Sequence, residues 1–167
     1  MKPRLYEEVC KRFPDRATPI LDVGAGSGSI GKGLREHGYT NVCAIEIWPR
    51  YITEFELAKV YRKVARRNAL DFDFWPFDLA IFGDVLEHWT HPMAASVLGR
   101  CFEAASQAAV IVPWKCPQGP WEGNPHEEHK QPDLTPAVMR ARYPDLDLIA
   151  QDEAKGLLWG PGQPSGS

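Results

Sequence analysis

The segment from Pro19 to Gly31 constrains the fold more than any other part of the chain. An apolar run ends in Asp22, and four glycines then fall within eight residues before a helix-like segment that extends to His37. Glycine adopts backbone conformations that other residues avoid, so a strand, a glycine turn and a helix start bring backbone N–H groups close to a ligand. The function therefore depends on what this turn binds.

Apolar strands alternate with helical segments along most of the chain. The pattern predicts strands at residues 18–23, 41–47, 64–65, 77–82, 108–112, 146–150 and 156–159. It predicts helices at residues 3–13, 29–38, 49–62, 93–106 and 135–142, with a further helical run from residue 85. Nearly continuous apolar strands separated by helices indicate an α/β domain with a mainly parallel twisted sheet, to which the last two strands add an antiparallel hairpin. Such sheets bind ligands at the carboxyl ends of their strands.

Composition limits the classes of function that fit this chain. Its 167 residues suffice for one domain, which we assign to residues 1–160, with a flexible tail at residues 161–167. A formal net charge of −3 argues against nucleic acid as a partner. The cysteines form no C-x-x-C pair, and neither a secretory signal nor a membrane-length apolar run is visible. We therefore expect a cytoplasmic monomer or homodimer with no membrane partner.

Acidic residues at two strand ends discriminate between nucleotide ligands. Residues 26–31 match G-x-G-x-x-G, the dinucleotide fingerprint, which is a weak signal alone. Asp22 lies two residues before Gly24, where its carboxylate would repel a pyrophosphate and attract a positively charged group. Glu46, at the end of the second strand, can accept hydrogen bonds from both hydroxyls of a ribose. Together these residues favour a nucleoside cofactor that carries a positive charge.

Three ordered motifs resemble those of the class I S-adenosylmethionine-dependent methyltransferases. Residues 21–28 are similar to the first motif, in which an acidic residue precedes G-x-G-x-G, and residues 44–47 to the second, with its ribose-binding acid. Residues 77–88 resemble the fourth motif as it stands in members that act on small molecules. The resemblance covers residues 18–113. It implies a Rossmann-like fold with helices on both faces, S-adenosyl-L-methionine as cofactor and S-adenosyl-L-homocysteine as product.

The resemblance also implies roles for individual positions. The methionine carboxylate and amine would lie near Asp22 and the glycine turn, and the ribose on Glu46. The adenine would lie against the segment that begins at Asn68, where family members often have Asp, so Asp71 is a substitute for that polar contact. The residues expected to contact the cofactor are Asp22, Gly24, Ala25, Gly26, Gly28, Glu46, Ile47, Asn68, Ala69, Leu70, Asp84, Val85 and His88.

A second distinctive segment is the proline-rich loop, which we define as residues 114–136. A loop of this length in a compact domain is usually functional, and this one follows the fifth strand, so it should fold over the carboxyl edge of the sheet. We expect His126 or His129 to contact the substrate or to act as a general base, with a structural or solvent-exposed role as the alternative. The two histidines lack the H-E-x-x-H order, and we expect no metal site.

The sequence thus predicts a methyltransferase that acts on an oxygen or nitrogen of a small molecule or saccharide. No Asn-Pro-Pro-Tyr-like tetrapeptide follows the fourth strand, so we do not expect methylation of the amino groups of nucleobases or glutamine, for which known families use it. Two alternatives stay open. One is a cofactor-binding domain without catalytic activity, because little sequence is inserted to form a substrate lid. The other is a nicotinamide-dependent oxidoreductase, which Asp22 disfavours.

Overall fold

The computed structural model describes residues 1–161, which form a seven-stranded sheet with helices around it. The strands are β1 (Ile20–Val23), β2 (Val42–Glu46), β3 (Lys63–Arg66), β4 (Phe77–Gly83), β5 (Ala105–Pro113), β6 (Asp147–Gln151) and β7 (Lys155–Pro161). They lie in the order β3-β2-β1-β4-β5-β7-β6. The first five strands pair in parallel, whereas β7 is antiparallel to both of its neighbours. The predicted Rossmann-like sheet with a C-terminal antiparallel hairpin is therefore confirmed.

Helices pack on both faces of this sheet, as predicted. They are α1 (Lys2–Arg12), α2 (Ser29–Glu36), α3 (Pro49–Glu54), α4 (Leu57–Val60), α5 (His91–Ala104) and α6 (Pro136–Arg142). Successive strand residues point to opposite faces, so the alternating side chains supply two separate apolar cores. Leu21 and Phe82 pack with residues of α5 and α6, whereas Ile20 and Ile81 pack with residues of α1, α2 and α4.

The order of the strands opens a crevice beside β1, at the carboxyl edge of the sheet. The chain moves outward from β1 through β2 to β3, then returns to the other side of β1 with β4. Helices on opposite faces leave a gap at such a switch in strand order, at the carboxyl ends of the strands. The glycine turn after Val23 and the polar residues after Ile45 and Phe82 all lie at that edge.

The predicted helix at residues 49–62 is wrong in one respect, because it is divided into α3 and α4. Glu56 adopts a left-handed conformation with a φ of 49°, which ends one helix and begins the next. Leu57 is thereby buried in the core, whereas α3 has no buried residue. The helical run predicted from residue 85 forms only a short 3-10 turn at Leu86–His88.

The C-terminal part of the chain follows the sequence pattern closely. Thr135 caps α6 as predicted, since its hydroxyl accepts the N–H of Val138 at 3.1 Å. Strand β7 extends through Pro161, one residue into the predicted tail, and the rest of that tail lies outside the described residues. Within residues 1–161, no helix combines the length and the apolar character that crossing a bilayer requires.

Candidate active site

A cavity of about 620 Å³ opens at the carboxyl ends of β1, β2 and β4. One wall consists of the strand-end motifs, and the opposite wall comes from the proline-rich loop. Of the residues predicted to contact the cofactor, those that line the cavity are Gly24, Ala25, Gly26, Glu46, Ile47, Asn68, Ala69, Leu70, Asp84, Val85 and His88. The lining does not include Asp22 and Gly28, which require a separate physical explanation.

The glycine turn begins with two residues that expose backbone to the cavity. Gly24 and Gly26 have φ values of 73° and 52°, which side chains with a Cβ rarely adopt. A Cβ on Gly24 would lie 2.6 Å from Cγ2 of Val85, so this glycine is also needed for the close approach of the segment that follows β4. A Cβ on Gly26 would meet no protein atom within 4 Å, because this residue borders open space.

The later glycines of the motif serve helix packing. A Cβ on Gly28 would lie 2.8 Å from Leu57, and one on Gly31 would overlap the ring of Tyr61. The absence of side chains at these positions lets α4 and the residue after it pack tightly against α2. Gly28 was predicted to contact the cofactor, but it is buried under α4 and does not line the cavity.

Asp22 is a buried carboxyl, and it does not line the cavity. Its exposure is 1%, and the Tyr61 hydroxyl donates a hydrogen bond to its Oδ2 at 2.5 Å. Burial is the largest cause that raises the pKa of Asp22, to about 7, and the Tyr61 hydrogen bond opposes this rise. The Asp22 side chain thus lies behind the cavity wall, and its contact with the methionine end of a cofactor stays a prediction.

Glu46 anchors the glycine turn to the end of β2. Its carboxylate accepts the N–H of Gly26 at 2.8 Å and the N–H of Trp48 at 2.7 Å, one on each oxygen. Burial raises the pKa of Glu46, and these two N–H donors lower it again. Each carboxylate oxygen has a second lone pair, so Glu46 can still accept hydrogen bonds from a ligand in the cavity.

The third strand-end segment is a short 3-10 turn at Ala69–Asp71. Asn68 caps it, because its side-chain oxygen accepts the N–H of Leu70 at 3.0 Å. Arg100 of α5 fixes the same turn by donating to the carbonyls of Ala69 at 3.1 Å and Leu70 at 2.7 Å. Asn68 is thus occupied in part by a capping role, which Asp would also perform.

The end of β4 is held in a conformation that a non-glycine residue rarely adopts. Asp84 has a φ of 57°, and its N–H donates to the carbonyl of Ile111 at 3.0 Å. Lys155 of β7 forms an ion pair with Oδ2 of Asp84 at 2.6 Å. This geometry turns the chain so that Val85 and His88 face the cavity.

The proline-rich loop is fixed to the sheet by backbone hydrogen bonds. Both Lys130 and Gln131 donate their N–H groups to the carbonyl of Glu87, at 2.7 Å and 3.1 Å. Gln131 is buried, and its amide donates to the carbonyl of Leu86 at 3.1 Å. These contacts bring the middle of the loop over the carboxyl edge of the sheet, where Trp121 and His126 line the cavity.

Comparisons with known proteins identify the family. A family model described as a methyltransferase domain matches residues 21–106, just over half of the chain. The chain belongs to the methyltransferase domain family. The family and the strand-end motifs together identify S-adenosyl-L-methionine as the cofactor. Curated protein sequences give no significant match to this methyltransferase.

Solved structures with the same fold share little sequence with this methyltransferase. The N-terminal domain of EvdMO1 with SAH bound aligns with a TM-score of 0.71 at 14% identity, over 98% of this chain and 82% of that one. Magnesium protoporphyrin IX methyltransferase (ChlM) from Synechocystis PCC 6803 with bound SAM gives 0.68 at 14% identity, over 96% and 77%. The pyocyanin biosynthetic protein PhzM gives 0.66 at 12% identity, over 94% and 54%. These similarities show the class I methyltransferase fold.

The two histidines of the proline-rich loop have different surroundings in this methyltransferase. His126 is exposed, lines the cavity and lies edge-on to Trp48, with 6.1 Å between ring centroids. His129 does not line the cavity; its Nδ1 lies 2.5 Å from the carbonyl of Cys116, and its ring packs against that of His88. The structure thus separates two residues that the sequence analysis grouped together.

Several residues of the cavity lining lie outside the predicted cofactor contacts. Lys2 of α1 reaches the rim and donates to Oγ of Ser29 at 2.6 Å. Trp121, Glu127 and Lys130 line the opposite wall. Lys2 lies outside every recognised motif, so no local signal marks it. The aromatic and charged composition of the loop was a signal for the three loop residues, but it did not show which side chains point inward.

Proposed function

We propose that this methyltransferase transfers the methyl group of S-adenosyl-L-methionine to an oxygen or nitrogen of a small molecule or saccharide. The observation that carries this proposal is the two-sided cavity. Strand-end motifs typical of a cofactor seat form one wall, and Trp121, His126 and Glu127 of the proline-rich loop form the other. A ligand held by the first wall would meet its acceptor against the second wall.

The residues of the first wall fit the cofactor chemically. Glu46 retains acceptor lone pairs for the ribose hydroxyls, and Ala69 and Leu70 offer an apolar surface for the adenine. The open space beside Gly26 lets a ligand approach the backbone closely. Lys2 adds a cation at the rim, and we assign it to the cofactor's carboxylate, because opposite charges attract.

The second wall fits an acceptor that is part apolar and part polar. Trp121 is 58% exposed even though it lines the cavity, so its ring is available to stack on a sugar or an aromatic ring. Asn124, Glu127 and Lys130 supply polar groups beside it. A narrow apolar pocket with a few convergent polar groups is typical of small-molecule sites.

The chemistry requires alignment more than it requires catalytic groups. When bound, S-adenosyl-L-methionine supplies a methyl group on a sulfonium sulfur, and an attacking oxygen or nitrogen takes this methyl group in line while the sulfur leaves as a thioether. A hydroxyl acceptor must lose a proton, and we assign His126 to accept it at its unprotonated ring nitrogen. The buried strand ends and the loop would exclude water from the reacting atoms. His129 does not line the cavity, so we assign it no proton transfer.

The structural neighbours support a small acceptor. They include a magnesium protoporphyrin IX methyltransferase, a pyocyanin biosynthetic protein and EvdMO1 in the presence of D-fucose. We infer that this chain acts on a molecule of the same size class.

Incubation with methyl-labelled S-adenosyl-L-methionine and a panel of saccharides, phenols and small amines tests the proposal. We expect label in a small-molecule product, detected by mass spectrometry, and expect a His126→Gln variant to lose turnover on hydroxyl acceptors only. Binding of S-adenosyl-L-homocysteine without label transfer to any acceptor of the panel would favour the binding-only alternative. Label transfer to protein or nucleic acid alone would contradict the proposed acceptor class.

A further inference from the structure

Three side chains converge beneath the cavity although they come from two distant segments. Glu87 and His88 follow β4, and His129 belongs to the proline-rich loop. Each offers one ligand atom, and these atoms lie within 4.8 Å of one another. The convergence has a backbone cause, because Lys130, the residue after His129, donates its N–H to the carbonyl of Glu87 at 2.7 Å.

Glu87 is the most unusual member of this cluster. Its exposure is 1%, and neither carboxylate oxygen accepts a hydrogen bond from any residue in the range 1–161. A buried carboxyl without partners costs several kcal/mol and is rare in folded proteins unless it has a ligand. Its two oxygens are therefore available to a positively charged group that enters the cluster.

Both histidines have one ring nitrogen fixed by a backbone carbonyl. Nε2 of His88 lies 3.1 Å from the carbonyl of Asp84, and Nδ1 of His129 lies 2.5 Å from that of Cys116. Such contacts place the proton on the bonded nitrogen and leave a lone pair on the other one. Nδ1 of His88 is buried and has no partner among the described residues. This arrangement is the one in which metal-binding histidines are usually held.

The charges around the cluster favour a cation. Asp84 and Glu127 both lie close enough to Glu87 to add negative charge at the cluster. Oε2 of Glu127 also lies 3.9 Å from Nε2 of His88. Lys155 is the opposing cation, and its ammonium is already paired with Asp84.

We propose that Glu87, His88 and His129 bind a divalent first-row transition metal ion. Two imidazoles and one carboxylate suit Mn²⁺, Fe²⁺ or Zn²⁺ and leave coordination positions open. Ligand atoms about 2.1 Å from such an ion lie about 3 to 3.5 Å apart, so small side-chain rotations would close the site. Two ligands come from the segment after β4 and one from the proline-rich loop, and metal binding therefore joins that loop to the sheet.

The position of the ion gives it a role in the reaction, and this role rests on the proposed function. His88 lines the cavity as well as belonging to the cluster. An ion held by the buried Nδ1 of this ring would fix the orientation of His88 in the cavity wall and so the shape of the acceptor site beside it. Metal binding itself needs neither cofactor nor acceptor, so it is tested separately.

Titration of the full chain with MnCl₂, with free Mn²⁺ followed by electron paramagnetic resonance, tests the site directly. Manganese avoids the ambiguity of thiol binding, because cysteine sulfur prefers softer metals. We expect one Mn²⁺ per chain in the wild-type protein. Glu87→Gln and His129→Gln should each weaken binding by at least about 100-fold, more than loss of an outer-shell partner does.

Matched controls come from the same loop. Glu128→Gln and His126→Gln remove the same chemical groups outside the cluster, and we expect their Mn²⁺ affinities to stay within about twofold of wild type. S-adenosyl-L-homocysteine binding serves as a folding check for every variant. Absence of stoichiometric binding in the wild type would overturn the metal site, and so would equal losses in cluster and control variants. Neither result would affect the proposed methyl transfer.

Discussion

The two walls of the cavity differ in how the chain builds them. The strand-end wall consists of short segments, each of which follows its own strand, so each functional residue is positioned by neighbours in sequence. The proline-rich loop has no regular structure over most of its length and depends on distant partners, such as the carbonyls of Leu86 and Glu87. Local motifs therefore specify the strand-end wall, and long-range contacts specify the wall that we propose for the acceptor.

This difference predicts that variants of the two walls have separable effects. Changes at the strand ends should weaken cofactor binding, whereas changes in the loop should leave it intact and alter turnover.

The largest effect is expected from Gly24→Ala. The new Cβ would lie 2.6 Å from Val85 and would strain a backbone with a φ of 73°. The turn must shift, and we expect the Kd for S-adenosyl-L-homocysteine to rise by at least about 100-fold in calorimetry. Gly99→Ala, an exposed helix position where a Cβ meets nothing within 4 Å, is the matched control. Equal affinities for the two variants would contradict the role of the glycine turn.

The next effect concerns the acceptor wall. His126→Gln removes the assigned proton acceptor, and we expect kcat on a hydroxyl acceptor to fall by about 100-fold, a common contribution of general bases. The Kd for S-adenosyl-L-homocysteine should stay within about twofold of wild type, because His126 belongs to the proline-rich loop and not to the strand-end wall. A parallel loss of cofactor affinity would show that the walls are coupled, and an unchanged kcat would remove His126 from the chemistry.

The sequence patterns predicted most of the fold and most of the residues that form the strand-end wall of the cavity. Strands and glycine turns have strong local patterns, and the predicted sheet with its hairpin is correct. Glu56 shows the limit of periodicity, because its left-handed conformation divides a helix that the pattern presents as continuous. Asp22 shows what a motif leaves out, since its hydrogen bond from Tyr61, which lies 39 residues away, has no local sequence signal.

A smaller effect is expected from Trp121→Ala. Loss of an exposed ring that lines the acceptor side should raise the KM for a saccharide or aromatic acceptor by about tenfold, within the range of stacking interactions. Trp75→Ala is the matched control, because Trp75 is also exposed but lies outside the cavity lining. Steady-state kinetics would decide, and a rise in KM for both variants or for neither would exclude Trp121 from the acceptor site.

The smallest effect on ligand binding is expected from Asp22→Asn. This variant should instead change how the free energy of unfolding depends on pH. The pKa of Asp22 is raised from 3.8 to about 7 in the folded state, so the folded protein binds more protons than the unfolded chain between these values. The stability contributed by Asp22 is therefore present at low pH and is lost as the pH rises to about 7. The unfolding free energy of Asp22→Asn relative to wild type should increase by about 1 to 3 kcal/mol from pH 5 to pH 8. Urea unfolding at both pH values checks this; a difference independent of pH would contradict it.

One calorimetric titration tests the central claim most directly. The strand-end wall is expected to bind S-adenosyl-L-homocysteine and not NAD⁺, because the family model of methyltransferase domains matches residues 21–106, which include this wall's glycine turn and Glu46. We predict one S-adenosyl-L-homocysteine site per chain and no heat from NAD⁺ under the same conditions. Saturable binding of NAD⁺ together with no binding of S-adenosyl-L-homocysteine would contradict the account.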